Sequence, residues 1–536
     1  MKKSLSAKQI IKRFETYKSE RNTWESHWQE LADYILPEKN NIQISDNPGQ
    51  KKNTQVLDAT GMDCAETLAG TLHTLLTNPN DEWFEMTTGD SEVDKQDEVR
   101  LWMQDSTTRM HNAMNNSNFQ TEVHEIYLNL VCFGTAGLST EEDEIMDMVF
   151  ASRPIQEIFL EEDSRGRISE VYRSFQWTAE QCAQEFGVDK LSKTLKKAYD
   201  KDERTKFDII HAIYPGDEKG DGKAAQFAIV SQYVAVVDKE ILREKGYHEK
   251  PLMTPRWIKV SGEKYGRSPG MKALPEIKTL NVMTATTIKG AQKVVDPPLQ
   301  APDDGFVLGV ITKPAGINYY RAGSTDRIEP LYNNTRIDFG FQVLEMKQKA
   351  IKSAFYTDQL KLQQGGPMMT ATEVLQRTEE AMRLLGPMLG RMQSEFLRPL
   401  IDRVFGIMLR RNRFKPIPVQ LRGRKLDVHY SSLIAKSQRM AKGQNILRTI
   451  QAAEPFINAD PTVMDNFNGD RTARYVGTIY GFPQECLNTA EEMKTTREAR
   501  GKAQQQAVQQ QQQAAQADTV SKVLPAAAQM QAAQRK

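Results

Sequence analysis

The sequence predicts an α+β fold that is predominantly helical. Three observations carry this. Apolar residues recur at helical spacing through residues 7–133, and again over 270–295 and 337–411. Between residues 148 and 260 they instead alternate, or bunch in runs of strand length. From Ala503 onward the chain is nearly all Ala and Gln, good helix formers that supply little core.

At 536 residues, with 39% hydrophobic and 26% charged side chains, the chain has material for several domains. Lys+Arg (71) and Asp+Glu (70) nearly cancel, so no general affinity for nucleic acid or anionic membrane follows. No apolar run approaches the roughly 18 residues of a membrane-spanning helix, and the start, MKKSLSAKQIIKRF, lacks the apolar core of a signal peptide. Cys64, Cys132, Cys182 and Cys486 are far apart and fit no metal spacing; free thiols in a reducing cytoplasm are expected.

In order, residues 7–36 form an amphipathic helix (Ile10, Phe14, Tyr17, Trp24, Trp28, Leu31, Ile35) that Pro37 ends. A polar loop leads to a second helix over about 61–76, broken by Asn78-Pro79-Asn80, and WFEMT reads as a strand. Helices over 94–114 and 118–133 follow. MVFAS, EIFLEED, ISEVYRSFQW, DIIHAIYP, AQFAIVSQYVAVVD and PRWIKV then read as strands, with turns at 163–167 and 216–223.

Residues 270–295 return to helix (Leu274, Ile277, Leu280, Val282, Ile288, Val294), stopped by Pro297-Pro298. A Gly- and Pro-rich stretch with short strands runs to Asn334, and residues 337–355 are helical again (Phe341, Leu344, Ile351, Phe355). Gly365-Gly366-Pro367 interrupts. Thr370 and Glu373 then form a capping box, opening a helix to Arg411 whose stripe includes Leu385, Met392, Phe396 and Val404. Pro387 and Pro399 should bend that helix rather than end it. KPIPVQLRGRKLDVHYSS is strand-like, and residues 434–499 suggest three or four short helices punctuated by Pro455, Pro461, Gly469, Gly481 and Pro483.

Catalytic patterns fail on inspection. Gly266-Arg267-Ser268-Pro269-Gly270 fits the GxSxG string of a nucleophile elbow, but the residue after that serine must donate its N–H to an oxyanion, and proline has none. A helix-starting turn is expected instead. Gly220-Asp221-Gly222-Lys223 lacks both the first glycine of a phosphate loop and the Ser or Thr after the lysine. His124-Glu125 has no second histidine at zinc-protease spacing. Glu141-Glu142-Asp143-Glu144 reads as a solvated turn rather than a cation site. No enzyme, cofactor or metal is predicted.

The aromatic first helix, TLAGTLHTLLTNPNDEWFEM, YGRSPGMKALPEIKTLN, MTATEVLQRTEE and the Gln-rich end follow one another along the chain. In this order they resemble the portal (head-to-tail connector) proteins of short-tailed bacteriophages. The resemblance implies a portal fold with wing, stem, clip and crown, assembled as a ring of twelve at a capsid vertex. It implies a virion protein assembled in the host cytoplasm, with no membrane role. DNA would enter the head through the channel during packaging and leave at infection. Its partners would be double-stranded DNA, the major capsid protein, the terminase motor and tail adaptor proteins.

By the same resemblance, residues 1–267 would be the wing, 268–295 and 337–355 the paired stem helices, and 296–336 the clip. Residues 356–369 would be a tunnel loop, 370–411 a long wing helix, 412–433 a strand returning to the wing, and 434–536 the crown with its Ala/Gln tail. The loop's Gln359, Lys361, Gln363, Gln364, Gly365, Gly366 and Pro367 would face DNA. One lysine among amides touches phosphates without a strong electrostatic grip. Leu280 and Leu344 are the expected subunit contacts in the stem. The competing readings are a packaging enzyme, which needs a phosphate loop or carboxylate cluster, and a virion adaptor or scaffold without a channel, which leaves the Gly-Gly-Pro loop unexplained.

Overall fold

The computed structural model describes residues 4–39, 41–43, 49–52, 55–94, 96–216, 227–295, 299–300, 317, 329–330, 337–360, 385–423, 426–430, 433–479, 488, 492–507 and 509–510. The chain divides into two compact units, Met1–Glu85 with Ser106–Pro416 and Val428–Ile434, and Met86–Asp105 with Ile417–Asp427 and Ala435–Lys536.

The first unit is organised around a five-stranded antiparallel sheet, β4 (Ile158–Glu162), β5 (Ile168–Thr178), β6 (Lys206–Pro215), β7 (Ile229–Ala235) and β8 (Glu240–Tyr247), hydrogen-bonded in chain order. Successive side chains on a strand point to opposite faces, so the neighbours Ile209 and Ile210 enter different cores. Ile210, Tyr172, Phe159 and Val234 pack on α1 (Ala7–Ile35) through Ile10 and Phe14. Ile209, Phe175, Tyr233 and Leu242 pack on the short helices α6 (Ala179–Phe186) and α7 (Lys193–Asp200) through Phe186 and Leu195.

Helix α1 starts at a capping box of Ser6 and Gln9. Its Arg21 is buried and donates to the carbonyls of Ile155, Gln156 and Ile158, while Trp28 Nε1 donates to the Phe133 carbonyl at 3.2 Å. Helices α2 (Thr60–Leu76) and α5 (Phe119–Phe133) pack together, and β2 (Gly137–Asp143) pairs with β3 (Asp147–Arg153) in a hairpin. Strand β2 also pairs with β9 (Leu252–Met253). Helix α8 (Pro269–Val295) and helix α9 (Ile337–Ala354) pack side by side, and a short α10 (Thr357–Leu360) follows.

Helix α11 covers 385–410 and contains a π-helical turn over Gln393–Leu397, where the Arg398 N–H bonds the Gln393 carbonyl. Pro399 has no N–H to give, and the wider turn just before it is the irregularity that its ring demands. Thr370, the start expected from the sequence, lies outside the described residues.

Residues of the second unit form α3 (Ser91–Asp94), the first turns of α4 (Asp97–Asn115), α12 (Leu433–Ala459), α13 (Gly469–Ile479) and a helix over 492–507. Its charges pair internally, Asp470 with Arg497 at 2.6 Å and Asp97 with Arg474 at 3.5 Å.

Several elements differ from the sequence expectation. Strands β2 and β8 and helices α6 and α7 were not predicted. Among their described residues, AQFAIVSQYVAVVD contributes only Ile229–Ala235 as strand, and PRWIKV only Ile258–Lys259. Pro455 lies inside α12 rather than ending a helix. Among the described residues of KPIPVQLRGRKLDVHYSS only Asp427–Tyr430 is strand, after a 3₁₀ turn at Val419–Leu421. In the stretch expected as a clip, Leu299–Gln300 pairs antiparallel with Glu329–Pro330; nearly all the rest lies outside the described residues.

Candidate functional site: the paired helices α8 and α9

Helix α8 begins where Ser268 caps it. Ser268 Oγ accepts from the Met271 N–H at 2.9 Å and donates to the Cys132 carbonyl at 2.7 Å, and Pro269 occupies the first helical position. The serine is buried and committed to two structural bonds, so it is no nucleophile. Just upstream, Gly134 (φ 76°) and Gly266 approach so closely that a Cβ on either would sit 2.2 Å from the other's carbonyl oxygen. That contact lets the end of α5 lie against the strand leading into α8.

The stripe predicted for α8 divides in two. Leu274, Ile277 and Leu280 are buried, and Gly61 leaves room for Ile277, whose Cδ1 would lie 2.9 Å from a Cβ there. Beyond them Val282 is 65% exposed, Ile288 46% and Val294 49%. Helix α9 divides the same way in reverse, with Ile351, and Phe355 just past its end, buried but Phe341 54% and Met346 60% exposed. The two helices are antiparallel, as Lys347 pairs with Glu276 at 2.7 Å and Gly340 lies against Thr287. Asn281 fastens the middle of α8, accepting from the Leu57 N–H and donating to the Gln55 carbonyl, both at 2.7 Å. One end of the pair is therefore rooted in the core, and the other leaves an apolar surface open.

This corrects one predicted contact. Leu280, expected to be covered by a neighbouring subunit, is 1% exposed in the single chain and belongs to its own core. Leu344 is half-buried. The open apolar positions are Val282, Ile288, Val294, Phe341 and Met346. The loop that leaves α9 is pinned at its start: Tyr356 has φ 59°, and the buried Thr357 hydroxyl donates to the Lys352 carbonyl at 3.1 Å. Of the predicted DNA-facing residues, Gln359 lies on α10, with its side chain outside the described residues. Lys361, Gln363, Gln364, Gly365, Gly366 and Pro367 lie wholly outside them, as does Gly220–Lys223.

Besides the local Arg391–Glu395 pair, α11 is tied to the rest of its unit by charge pairs that no local pattern revealed, because those partners lie more than a hundred residues away. Fully buried Arg256 donates to Glu395 at 2.7 Å and also bonds Glu162. Arg403 pairs with Glu249 at 3.2 Å, and Arg410 bridges Glu249 and Glu142. Asp147 takes both Arg411 and Arg413; desolvation pushes its pKa up, but those hydrogen bonds prevail and hold it below the usual carboxylate range. Burial raises Glu141 despite the bond from Tyr247. The acidic run at 141–144 is thus largely spent on ion pairs and a turn, and among the described residues no group of side chains has metal-ligand geometry. Among them, too, no helix is long and apolar enough to cross a membrane.

Residues 7–487 match the family described as bacteriophage head to tail connecting protein. The chain is 31% identical over 521 residues to the probable portal protein of Bordetella phage BPP-1, covering 95% of this chain and 94% of that one. It is 30% identical over 514 residues to the portal protein of Salmonella phage epsilon15, covering 93% and 92%. A solved structure, the neck of an empty GTA particle computed with C6 symmetry, aligns with TM-score 0.38 at 9% identity, over 72% of this chain and 86% of that one. The chain belongs to the bacteriophage head-to-tail connecting family, as a portal protein: a structural component of the virion at the head–tail connection.

Proposed function

We propose that this portal protein closes into a ring of twelve subunits around a channel for double-stranded DNA, which passes inward during packaging and outward at ejection. The observation that carries the reading is the division of α8 and α9. Their rooted ends are buried within the chain, while Val282, Ile288, Phe341 and Met346 stand open on two helices packed side by side. A ring arises when one face of a subunit meets a different face of the next and the rotation closes. Apolar surface of this kind is what such contacts cover.

In this reading α8 and α9 are the stem, 296–336 the clip that meets the terminase motor and later the tail adaptors, and 356–369 the tunnel loop. Residues 1–267 with 370–433 form the wing beside the major capsid protein, and 434–536 the crown. Assembly takes place in the host cytoplasm. A nearly neutral chain suits a polymer that must slide, since each tight phosphate contact strengthens binding. Mass measurement and particle imaging of the purified protein test the ring: closed particles near twelve subunits support it, whereas a monomer or dimer that stays so at every concentration favours an adaptor without a channel. Deleting Leu362–Met368 tests the loop. Rings that assemble but fail to fill or retain DNA support its role; normal filling and retention remove it.

A further inference from the structure

A cavity of about 600 Å³ opens beside the Asp163–Arg167 turn of the first unit. Val171, Ile213, Ile229, Leu252 and Met253 give it apolar walls, and its charged lining is five cations, Arg165, Arg167, Lys250, Lys259 and Arg391, against two carboxylates, Asp163 and Glu395. Three of these cations are already engaged, Arg167 with Asp163, Lys259 with Glu162 and Arg391 with Glu395. Lys250 is different. Its ammonium donates to the Ile168 carbonyl at 2.9 Å, and among the described residues neither Lys250 nor Arg165 has a carboxylate within ion-pairing distance. Burial presses the Lys250 pKa down, as expected for a charge that has lost water without gaining a full counter-ion. An occupant matched to this site brings apolar side chains and a carboxylate.

The β2–β3 hairpin carries that set at its tip. Ile145 is 91% exposed and Met146 43%, on a turn that Asp143 ties by accepting both of their N–H groups. Glu144 beside them is exposed, while Glu141, Glu142 and Asp147 are engaged with Tyr247, Arg410 and Arg413. The hairpin cannot reach the cavity of its own chain. Its root is hydrogen-bonded there, Ser139 opposite Leu252 and Leu138 opposite Met253, and β2 then continues, paired with β3, to Asp143. At about 3.4 Å per residue, Glu144 lies roughly 17 Å farther along.

We propose that the tip residues Glu144, Ile145 and Met146 of one copy insert into this cavity of the next, Ile145 and Met146 meeting the apolar walls and Glu144 meeting Lys250 and Arg165. The contact joins two different faces, as ring closure requires, and it rests on the ring reading above.

The test uses the full chain. Ile145→Cys combined with Ser169→Cys, a half-buried cavity residue, is oxidised after assembly and run under denaturing conditions; each single variant is the control. A ladder of covalent multimers from the double variant alone supports insertion, because a disulfide needs Cα atoms within about 7 Å. Rings that assemble but give no ladder overturn it. In a second arm, Glu144→Lys and Arg165→Glu should each raise the protein concentration at half-assembly at least tenfold, and the pair together should recover most of the loss. Unchanged assembly in both single variants also overturns the insertion while leaving the ring intact. A wild-type chain that never assembles removes the ring reading itself, an outcome visible before any variant is made.

Discussion

Glu395 sits in the π-helical turn of α11, and its Oε1 accepts from Arg256 Nη2 at 2.7 Å, tying the wide turn to a guanidinium with no exposed surface. Its other oxygen takes the Arg256 backbone N–H and Nε, both at 3.1 Å. Arg256 meanwhile bonds Glu162 and the Lys264 and Gly166 carbonyls, so one side chain joins α11 to the β4–β5 turn. Removing one partner of a buried pair strands the other, at a cost of about 3–5 kcal/mol. Glu395→Ala should lie near the lower end, because Glu162 still faces the arginine. Denaturant unfolding of the unassembled chain measures it; a loss below about 1 kcal/mol would show that Glu162 and the carbonyls suffice alone.

His211 predicts a pH dependence. It is buried in mid-sheet, stacked on Tyr233 with ring centres 3.9 Å apart, and its Nε2 shares a 2.8 Å bond with Ser231 Oγ. Burial, with Arg173, Arg243 and Arg153 nearby, holds its pKa well below the ordinary histidine value. The unfolded chain therefore takes the proton first as pH falls. Stability from keeping this ring neutral is complete above about pH 6.5 and declines below it, by up to about 1.4 kcal/mol per pH unit. His211→Gln removes that titration, so its deficit against wild type should shrink from pH 7 to pH 5. A deficit constant over that range would count against the assignment.

At the start of α8, Ser268→Ala removes a cap and leaves the Cys132 carbonyl without its donor. A loss of about 1–2 kcal/mol is expected. Gly134→Ala should cost more, since a Cβ at φ 76° would meet the Gly266 carbonyl and the backbone cannot yield as a side-chain tip can. Thermal melting of the two variants checks the order; Ser268→Ala melting below Gly134→Ala would reverse the argument.

Much of the helical frame was legible because α1, α2, α5, α8 and α9 repeat their apolar residues over four or more turns. Helices α6 and α7 span eight residues each, barely two turns, among many charges, and so offered no period to read. Strand β8 has Arg243, Glu244 and Lys245 in its middle, as an edge strand tolerates, and β2 is GLSTEED, whose buried positions are mostly small or polar. The ion pairs of Arg256, Arg403 and Arg410 join residues far apart in sequence, and nothing local marks them. The α8–α9 pair was legible as two apolar stripes. Which half of each stripe the chain covers was not, because that depends on where α1, α2 and α5 lie.

That division yields the last prediction. Leu280 and Val282 are two residues apart on α8, yet Leu280 is 1% exposed and Val282 65%. An aspartate at Leu280 would place an unpaired carboxylate in the core, which costs several kcal/mol or is relieved by protonation. Leu280→Asp should therefore damage the subunit itself, and loss of rings in that variant would reveal nothing about contacts between subunits. Phe341→Asp with Met346→Asp changes only exposed side chains, so the stability of the unassembled chain should stay close to wild type, within about 0.5 kcal/mol for each site, and its melting should look normal. If the open end of the α8–α9 pair is covered by the neighbouring subunit, the same two changes put charges into an apolar contact and should stop ring formation. The separation of the two readouts carries the argument. Normal melting with lost assembly places the contact on this surface; normal melting with normal assembly moves it elsewhere.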